Sequence, residues 1–87
     1  MDNRRLIRMA NQIGDYFAAY PDRGEAVTGI ANHLRSFWAP AMRRRIIDHL
    51  AGGGAELKDI VREAVAALAR ESTGGGAQST GGEKPNP

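Results

Sequence analysis

The spacing of apolar residues limits what this chain can fold into more than any other feature. Apolar residues recur at steps of three and four, and Pro21, Pro40 and the glycine run 52–54 divide them into four segments. Such spacing places residues on one face of a helix, whereas a half-buried strand would need strict alternation. The expected fold class is therefore all-α, a small bundle of four short helices.

The first segment is expected to form a helix over about residues 4–20. Asn3 is its predicted N-cap, and Pro21 is expected to stop it. Asp22 then resembles an N-cap with Glu25 three residues later, an arrangement that satisfies free backbone N–H groups at a helix start. The predicted core face of the first helix consists of Leu6, Met9, Ala10, Ile13, Phe17 and Tyr20.

Pro40 is expected to separate the second helix from the third. The residue before a proline avoids helical geometry, and proline itself suits the first position of a helix. The second helix is expected to bury Ala26, Val27, Ile30, Ala31, Leu34, Phe37 and Trp38, with Trp38 equally compatible with the surface. The third is expected to bury Met42, Ile46, Ile47 and Leu50.

A fourth helix is expected after the glycine run, over about residues 55–71. Glu56 in its first turn and Arg70 in its last would suit the helix dipole. Beyond it the sequence is rich in Gly, Ser, Thr and Pro and could not bury enough apolar surface to fold. We expect a helical domain over residues 1–72 and a disordered tail over 73–87. The fourth helix is expected to bury Leu57, Ile60, Val61, Ala64, Val65 and Leu68.

Composition argues against catalysis and against a resident cofactor. The chain has no cysteine, which excludes disulfides, thiolate nucleophiles and cysteine-based metal sites. His33 and His49 fall on different helices without further ligands, so each is expected to be a half-buried packing or hydrogen-bonding residue. No nucleophile motif is present. With neither a membrane-spanning run nor a signal peptide, the chain is expected to be soluble and untargeted, and the lack of cysteine is compatible with a reducing cytosol.

The segment from residue 35 to residue 45, RSFWAPAMRRR, is the most informative part of the sequence. It combines the only Trp with Phe, Met and Arg, the residue types enriched in protein interfaces. Phe37 and Met42 are assigned mainly to the core, while the stem of Arg43 should cover apolar surface with its charge at the rim. The candidate partner-binding residues are Arg35, Phe37, Trp38, Pro40, Met42, Arg43 and Arg44.

Two glycines inside predicted helices suggest close approaches, because glycine in a helix costs about 0.5–1 kcal/mol relative to alanine. Gly14, near Ala10 and Ala18, could admit a neighbouring helix of the same chain. Gly29 lies opposite the apolar stripe and could admit a partner. Simple tolerance of both glycines is an equally good interpretation.

Several stretches together resemble the delta subunit of NAD-dependent formate dehydrogenase. They are residues 9–14 (MANQIG), 21–23 (PDR), 29–35 (GIANHLR) and 37–44 (FWAPAMRR). The resemblance covers about residues 5–70, and the FW-x-P-x-MR corner is its most specific part.

The resemblance implies a non-catalytic accessory subunit of a cytoplasmic formate:NAD+ oxidoreductase. Its partner would be the alpha subunit, which carries a molybdenum or tungsten bis-guanine-dinucleotide cofactor and iron–sulfur clusters. Beta and gamma subunits would carry FMN and further clusters. The delta chain would bind the alpha subunit, stabilising it or helping it to acquire and retain its cofactor.

Two other functions fit the sequence less well. A nucleic-acid-binding module could use the third helix as a recognition helix, but the net charge is only +2 and the arginines diverge around the helix. A self-associating bundle could hide Trp38 against a second copy, since the core is small. We expect neither nucleic acid nor a membrane as a partner.

Overall fold

The computed structural model describes residues 3–74, with side chains described for residues 3–71. Within that range the chain forms four α-helices and no strand, which confirms the predicted fold class. The helices are α1 (Asn3–Phe17), α2 (Arg23–Phe37), α3 (Pro40–Ala51) and α4 (Asp59–Gly74). Thr73 and Gly74, assigned to the tail from the sequence, belong to α4, and the rest of the predicted tail lies outside the described residues.

The core lies where α4 packs against the other three helices, most extensively against α2. The predicted apolar stripes supply most of it, because every helix directs one row of apolar side chains inward. Leu6, Ile30 and Leu34 are almost completely buried, as are Ile46, Val61 and Val65. Ile7 is also buried, although the predicted stripe of α1 omitted it.

Pro40 separates α2 from α3 as predicted. Ala39, the residue before it, has extended backbone angles (φ −64°, ψ 150°), and Pro40 occupies the first turn of α3. At the other end of α2, the Asp22 carboxylate accepts a hydrogen bond of 3.2 Å from the backbone N–H of Glu25. The predicted N-cap of α2 is therefore confirmed.

α1 begins and ends differently from the prediction. Asn3 is its first helical residue rather than its cap, and the helix stops at Phe17, three residues before the predicted end. Tighter turns follow, in which the N–H of Tyr20 bonds to the carbonyl of Phe17 at 3.0 Å. Tyr20 precedes Pro21 and so cannot stay helical. It leaves the apolar stripe and is 42% exposed.

The predicted start of α4 was wrong by several residues. Gly53, Gly54 and Glu56 all have positive φ (126°, 65° and 69°), so the chain reverses direction here before α4 begins. Glu56 is not in the first turn of α4, and Asp59 takes that position. Leu57 precedes the helix yet is buried as predicted.

The Asn11 side chain holds this reversal in place. Its amide nitrogen donates to the carbonyl of Glu56 at 2.9 Å, and its oxygen accepts from the N–H of Lys58 at 3.0 Å. His49 Nε2 lies 2.8 Å from the carbonyl of Ala55 on the other side of the reversal. The half-buried hydrogen-bonding role predicted for His49 is confirmed.

Three exposed ion pairs tie α4 and the residue before it to α1 and α2. They join Lys58 to Asp15, Arg23 to Glu63, and Arg35 to Glu71. The hydrogen bond from Arg23 to the Glu63 carboxylate, followed by their charge attraction, raises the pKa of Arg23 above its ordinary value. Exposed pairs of this kind add little to the free energy of unfolding. Their main consequence is that these three cations are already paired within the chain.

Candidate partner interface

Three of the five aromatic residues line one open groove between α1 and α2, and the other two contact residues that line it. Tyr16 and Phe17 of α1 line it, and so does Trp38, the residue that follows α2. Phe37 joins them by stacking on His33, another lining residue, with ring centroids 4.7 Å apart. Tyr20 joins through Phe17, at 5.3 Å. The two helices thus bring together aromatic residues from two separate parts of the sequence.

This aromatic groove has a volume of about 600 Å³. Trp38 is only 5% exposed and belongs to the core cluster, so its indole is fixed by packing within the chain. Tyr16, in contrast, is 69% exposed. Its ring meets that of Phe17 edge to face, with centroids 5.0 Å apart. The groove is lined by Met9, Gln12, Ile13, Tyr16, Phe17, His33 and Trp38.

The prediction that Phe37 lies in the core was wrong. Its side chain is 75% exposed, the highest exposure among the large apolar residues of the described chain. α2 ends at Phe37, and no helix of the bundle covers its ring. His33 supports that ring from one turn earlier, and its predicted half-buried packing role is confirmed.

The structure divides the seven predicted partner-binding residues among four places. Trp38 lines the aromatic groove, and Phe37 extends it. Met42 lines an adjoining hollow with Arg5, Leu6 and Met9, and Met9 is shared with the groove. Arg35 lies elsewhere, in its pair with Glu71. The remaining three, Pro40, Arg43 and Arg44, line a separate hollow with Ile47.

Arg43 turns back to the end of α2, where it bonds to two backbone carbonyls. Its Nη1 donates to the carbonyl of Trp38 at 2.6 Å and to that of Arg35 at 3.1 Å. Carbonyls at a helix C-terminus lack partners within the helix and carry partial negative charge, which a guanidinium satisfies. Arg43 is half-buried, as expected, and its guanidinium group lies against the carbonyls at the end of α2.

The close approaches at the two helical glycines both occur within the chain. A Cβ at Gly14 would lie 2.5 Å from Val61 Cγ2, so this glycine admits α4 as expected. A Cβ at Gly29 would lie 2.5 Å from Phe17 Cε1. The expectation that Gly29 admits a partner was therefore wrong, since the Phe17 ring occupies that space.

Sequence reasoning missed Tyr16 as a candidate interface residue, because it lies beside the predicted apolar stripe of α1. The signal was the aromatic pair at residues 16 and 17, followed by a third aromatic at 20. Consecutive side chains on a helix point about 100° apart, so Tyr16 and Phe17 do not share one direction. With Phe17 on the predicted stripe, Tyr16 was a candidate for an exposed ring.

Three further observations bear on the class of protein. Across residues 3–74 no three His, Asp or Glu side chains come together in a group that could hold a metal ion. No helix in that range has the length and apolarity needed to cross a membrane. Trp38 is buried by its own chain, which contradicts the idea that a second copy would be needed to hide it.

The described chain is thus a small all-helical domain whose most distinctive surface is an exposed aromatic groove. Residues 5–65 match the family model described as NADH-dependent formate dehydrogenase delta subunit FdsD. The match covers more than half of the chain, so the protein belongs to this family, and the resemblance seen in its sequence is confirmed. Searches of curated proteins and of solved structures found no match.

Proposed function

We propose that this chain is a non-catalytic accessory subunit that binds the alpha subunit of a cytoplasmic formate dehydrogenase through the aromatic groove. Membership of the delta-subunit family supports a place in a formate dehydrogenase complex. The observation that carries the binding role is the exposure of Tyr16 and Phe37 at 69% and 75% beside a shaped apolar hollow. Fully burying a large apolar side chain gains about 1.5–3 kcal/mol, so both rings favour a covered state.

The size of the domain supports the same role. A chain of this length buries a modest share of its surface, and its own core supplies limited stability. A partner that binds only the folded state adds to the free energy of unfolding through mass action. Docking would therefore stabilise both proteins at the interface.

The proposal places the redox groups in the other subunits. The alpha subunit would hold the molybdenum or tungsten cofactor and iron–sulfur clusters, and the beta and gamma subunits would hold FMN and further clusters. The delta chain has no cysteine with which to ligate a cluster. Its contribution would be to stabilise the alpha subunit and to support insertion or retention of the cofactor there.

Co-purification tests the proposed binding. The tagged chain and the alpha subunit of its own organism are co-expressed, and the recovered alpha subunit is quantified. The double variant Tyr16→Ala/Phe37→Ala should lose most of it while keeping its helical circular dichroism, because both rings are largely exposed. Arg23→Ala, at the opposite end of α2 from Phe37, serves as the surface control and should retain the alpha subunit. Equal recovery with both variants would reject the groove as the interface.

A second measurement separates a resident subunit from a maturation factor. Native mass spectrometry of the active, cofactor-loaded enzyme gives the number of delta chains per alpha subunit. A resident subunit is present in equal number. A maturation factor is absent from the loaded enzyme, but its deletion lowers the molybdenum or tungsten content of the alpha subunit.

A further inference from the structure

The aromatic groove ends in positive charge at the N-terminal end of α1. Arg5 lines the hollow that adjoins the groove, together with Leu6, Met9 and Met42. Arg5, Met9, Gln12 and Tyr16 are spaced at three and four residues, which places them along one face of α1. Arg8 is exposed and lies one residue from Met9. The apolar surface is therefore continuous with a basic end.

Arg5 and Arg8 differ from three other cations of the described chain in their charge partners. Lys58, Arg23 and Arg35 are paired with carboxylates of the same chain. Arg5 and Arg8, in contrast, form no ion pair with any residue between 3 and 74. Among the described side chains, no acidic residue lines the groove or the adjoining hollow.

The position of these arginines on α1 adds a second electrostatic reason for a negative partner. The first turn of α1 contains no acidic residue, although helix N-termini favour negative charge and disfavour cations. An external carboxylate beside Arg5 and Arg8 would pair two cations that have no ion pair among the described residues, and it would complement the dipole of α1. This end of the groove therefore favours the binding of an anionic group.

We infer that the groove receives one acidic amphipathic helix of the alpha subunit, an inference that rests on the proposed function. Its apolar side chains enter between Tyr16, Phe37 and Trp38, and its carboxylates lie against Arg5 and Arg8. A helix suits a trough between two helices, since anchors at three- and four-residue spacing follow its length. From Arg5 to Tyr16, α1 extends about 16 Å, so the bound helix presents about three turns.

A protein helix fits this surface better than a nucleic acid. A nucleic-acid groove needs cations along the path of the phosphates, interleaved with stacking rings. Here the arginines lie at one end, and the residues between them and Tyr16 include Met9 and Ile13. Apolar anchors with charge at one end are typical of helix recognition.

Charge reversal at the two arginines tests the inference. Wild type, Arg5→Glu/Arg8→Glu and the charge-preserving Arg5→Lys/Arg8→Lys are compared for capture of the alpha subunit and of overlapping peptides that tile its sequence. The Glu variant should lose at least about tenfold in affinity, and the Lys variant should bind nearly as wild type. The captured peptides should be acidic and amphipathic. Because glutamate suits the N-terminal end of α1, the Glu variant should melt no lower than wild type.

Exchanging the charges between the peptide and the groove tests the inference more strictly. Replacing the carboxylates of the captured peptide by lysine should abolish its binding to wild type and restore its binding to the Glu variant. Equal capture by wild type and the Glu variant would overturn the inference while the proposed function stood. Failure of wild type to capture the alpha subunit at all would overturn both. If wild type preferred a single-stranded oligothymidine and the Glu variant did not bind it, the ligand of the groove would be a nucleic acid and the inferred protein helix would be wrong.

Discussion

Gly14 of α1 faces Val61 of α4 so closely that the two helices touch without an intervening side chain at residue 14. Val61 is completely buried, and a Cβ on residue 14 would lie 2.5 Å from its Cγ2. Contacts this short force side chains out of their rotamers or helices apart. The glycine therefore sets the distance between α1 and α4.

Gly14→Ala is expected to destabilise the domain despite the higher helix propensity of alanine. Overpacking costs about 1–3 kcal/mol, and the propensity gain offsets about 0.5–1 kcal/mol of it. Urea denaturation should show a net loss of about 1–2 kcal/mol. Gly52→Ala is the matched control, because a Cβ there would meet only two carbonyl oxygens at 3.6 Å. A Gly14→Ala variant as stable as wild type would contradict the close contact.

Arg43→Ala is expected to destabilise the corner between α2 and α3. The substitution removes the two hydrogen bonds that Arg43 donates to carbonyls at the end of α2. The free energy of unfolding should fall by about 1–2 kcal/mol. Arg43→Lys should recover part of this, since an ammonium can reach one carbonyl but lacks the guanidinium fork. Arg44→Ala, which removes a more exposed arginine, should change the melting temperature little. Equal effects at residues 43 and 44 would argue against the capping role.

The sequence predicted the fold well because helix periodicity and proline positions are local signals. The stripe of α2, the cap at Asp22 and the break at Pro40 each depend on residues within one or two turns. The start of α4 could not be predicted in the same way. It depends on Asn11, which holds the backbone of Glu56 and Lys58 from a helix far away in sequence. Long-range hydrogen bonds of this kind leave no periodic signal.

The candidate site was predicted only in part, for a related reason. The segment at residues 35–45 was identified by composition, and within it Trp38 lines the groove while Phe37 contacts the lining residue His33. The other wall of the groove comes from α1, which packs against α2 where Phe17 meets Gly29, a contact between residues distant in sequence. Arg35, Arg43 and Arg44 were predicted together as partner-binding residues, whereas the structure gives them different contacts. Arg43 bonds to a helix end and Arg35 to Glu71.

Glu56→Gly is expected to stabilise the domain. Glu56 has φ of 69°, a region that disfavours side chains with a Cβ by about 1–2 kcal/mol. Glycine relieves that cost but has more freedom in the unfolded chain, so the net gain should be about 0.5–1 kcal/mol. Glu56→Ala is the control, because it removes the carboxylate but keeps the Cβ. A gain shared by both variants would point to the charge of Glu56 instead of its backbone.

Phe37→Ala and Trp38→Ala are adjacent substitutions with opposite expected consequences. Trp38 is 5% exposed, and truncating a buried aromatic costs about 3–5 kcal/mol, a large part of the stability of a small domain. Trp38→Ala should lower the melting temperature steeply, and any loss of the alpha subunit would follow from unfolding. Phe37 is 75% exposed, so Phe37→Ala should melt close to wild type and still lose much of its capture of the alpha subunit.

The pair separates folding from binding when thermal melting and co-purification are measured on the same preparations. Phe37→Tyr adds the matched control, since it keeps the ring and should retain binding. If Phe37→Ala unfolded like Trp38→Ala, its ring would have to be covered within the chain, in conflict with the exposure at the end of α2. If it stayed folded and bound the alpha subunit fully, the aromatic rim would have no part in docking. A folded Phe37→Ala that has lost binding would place the partner against this end of the groove.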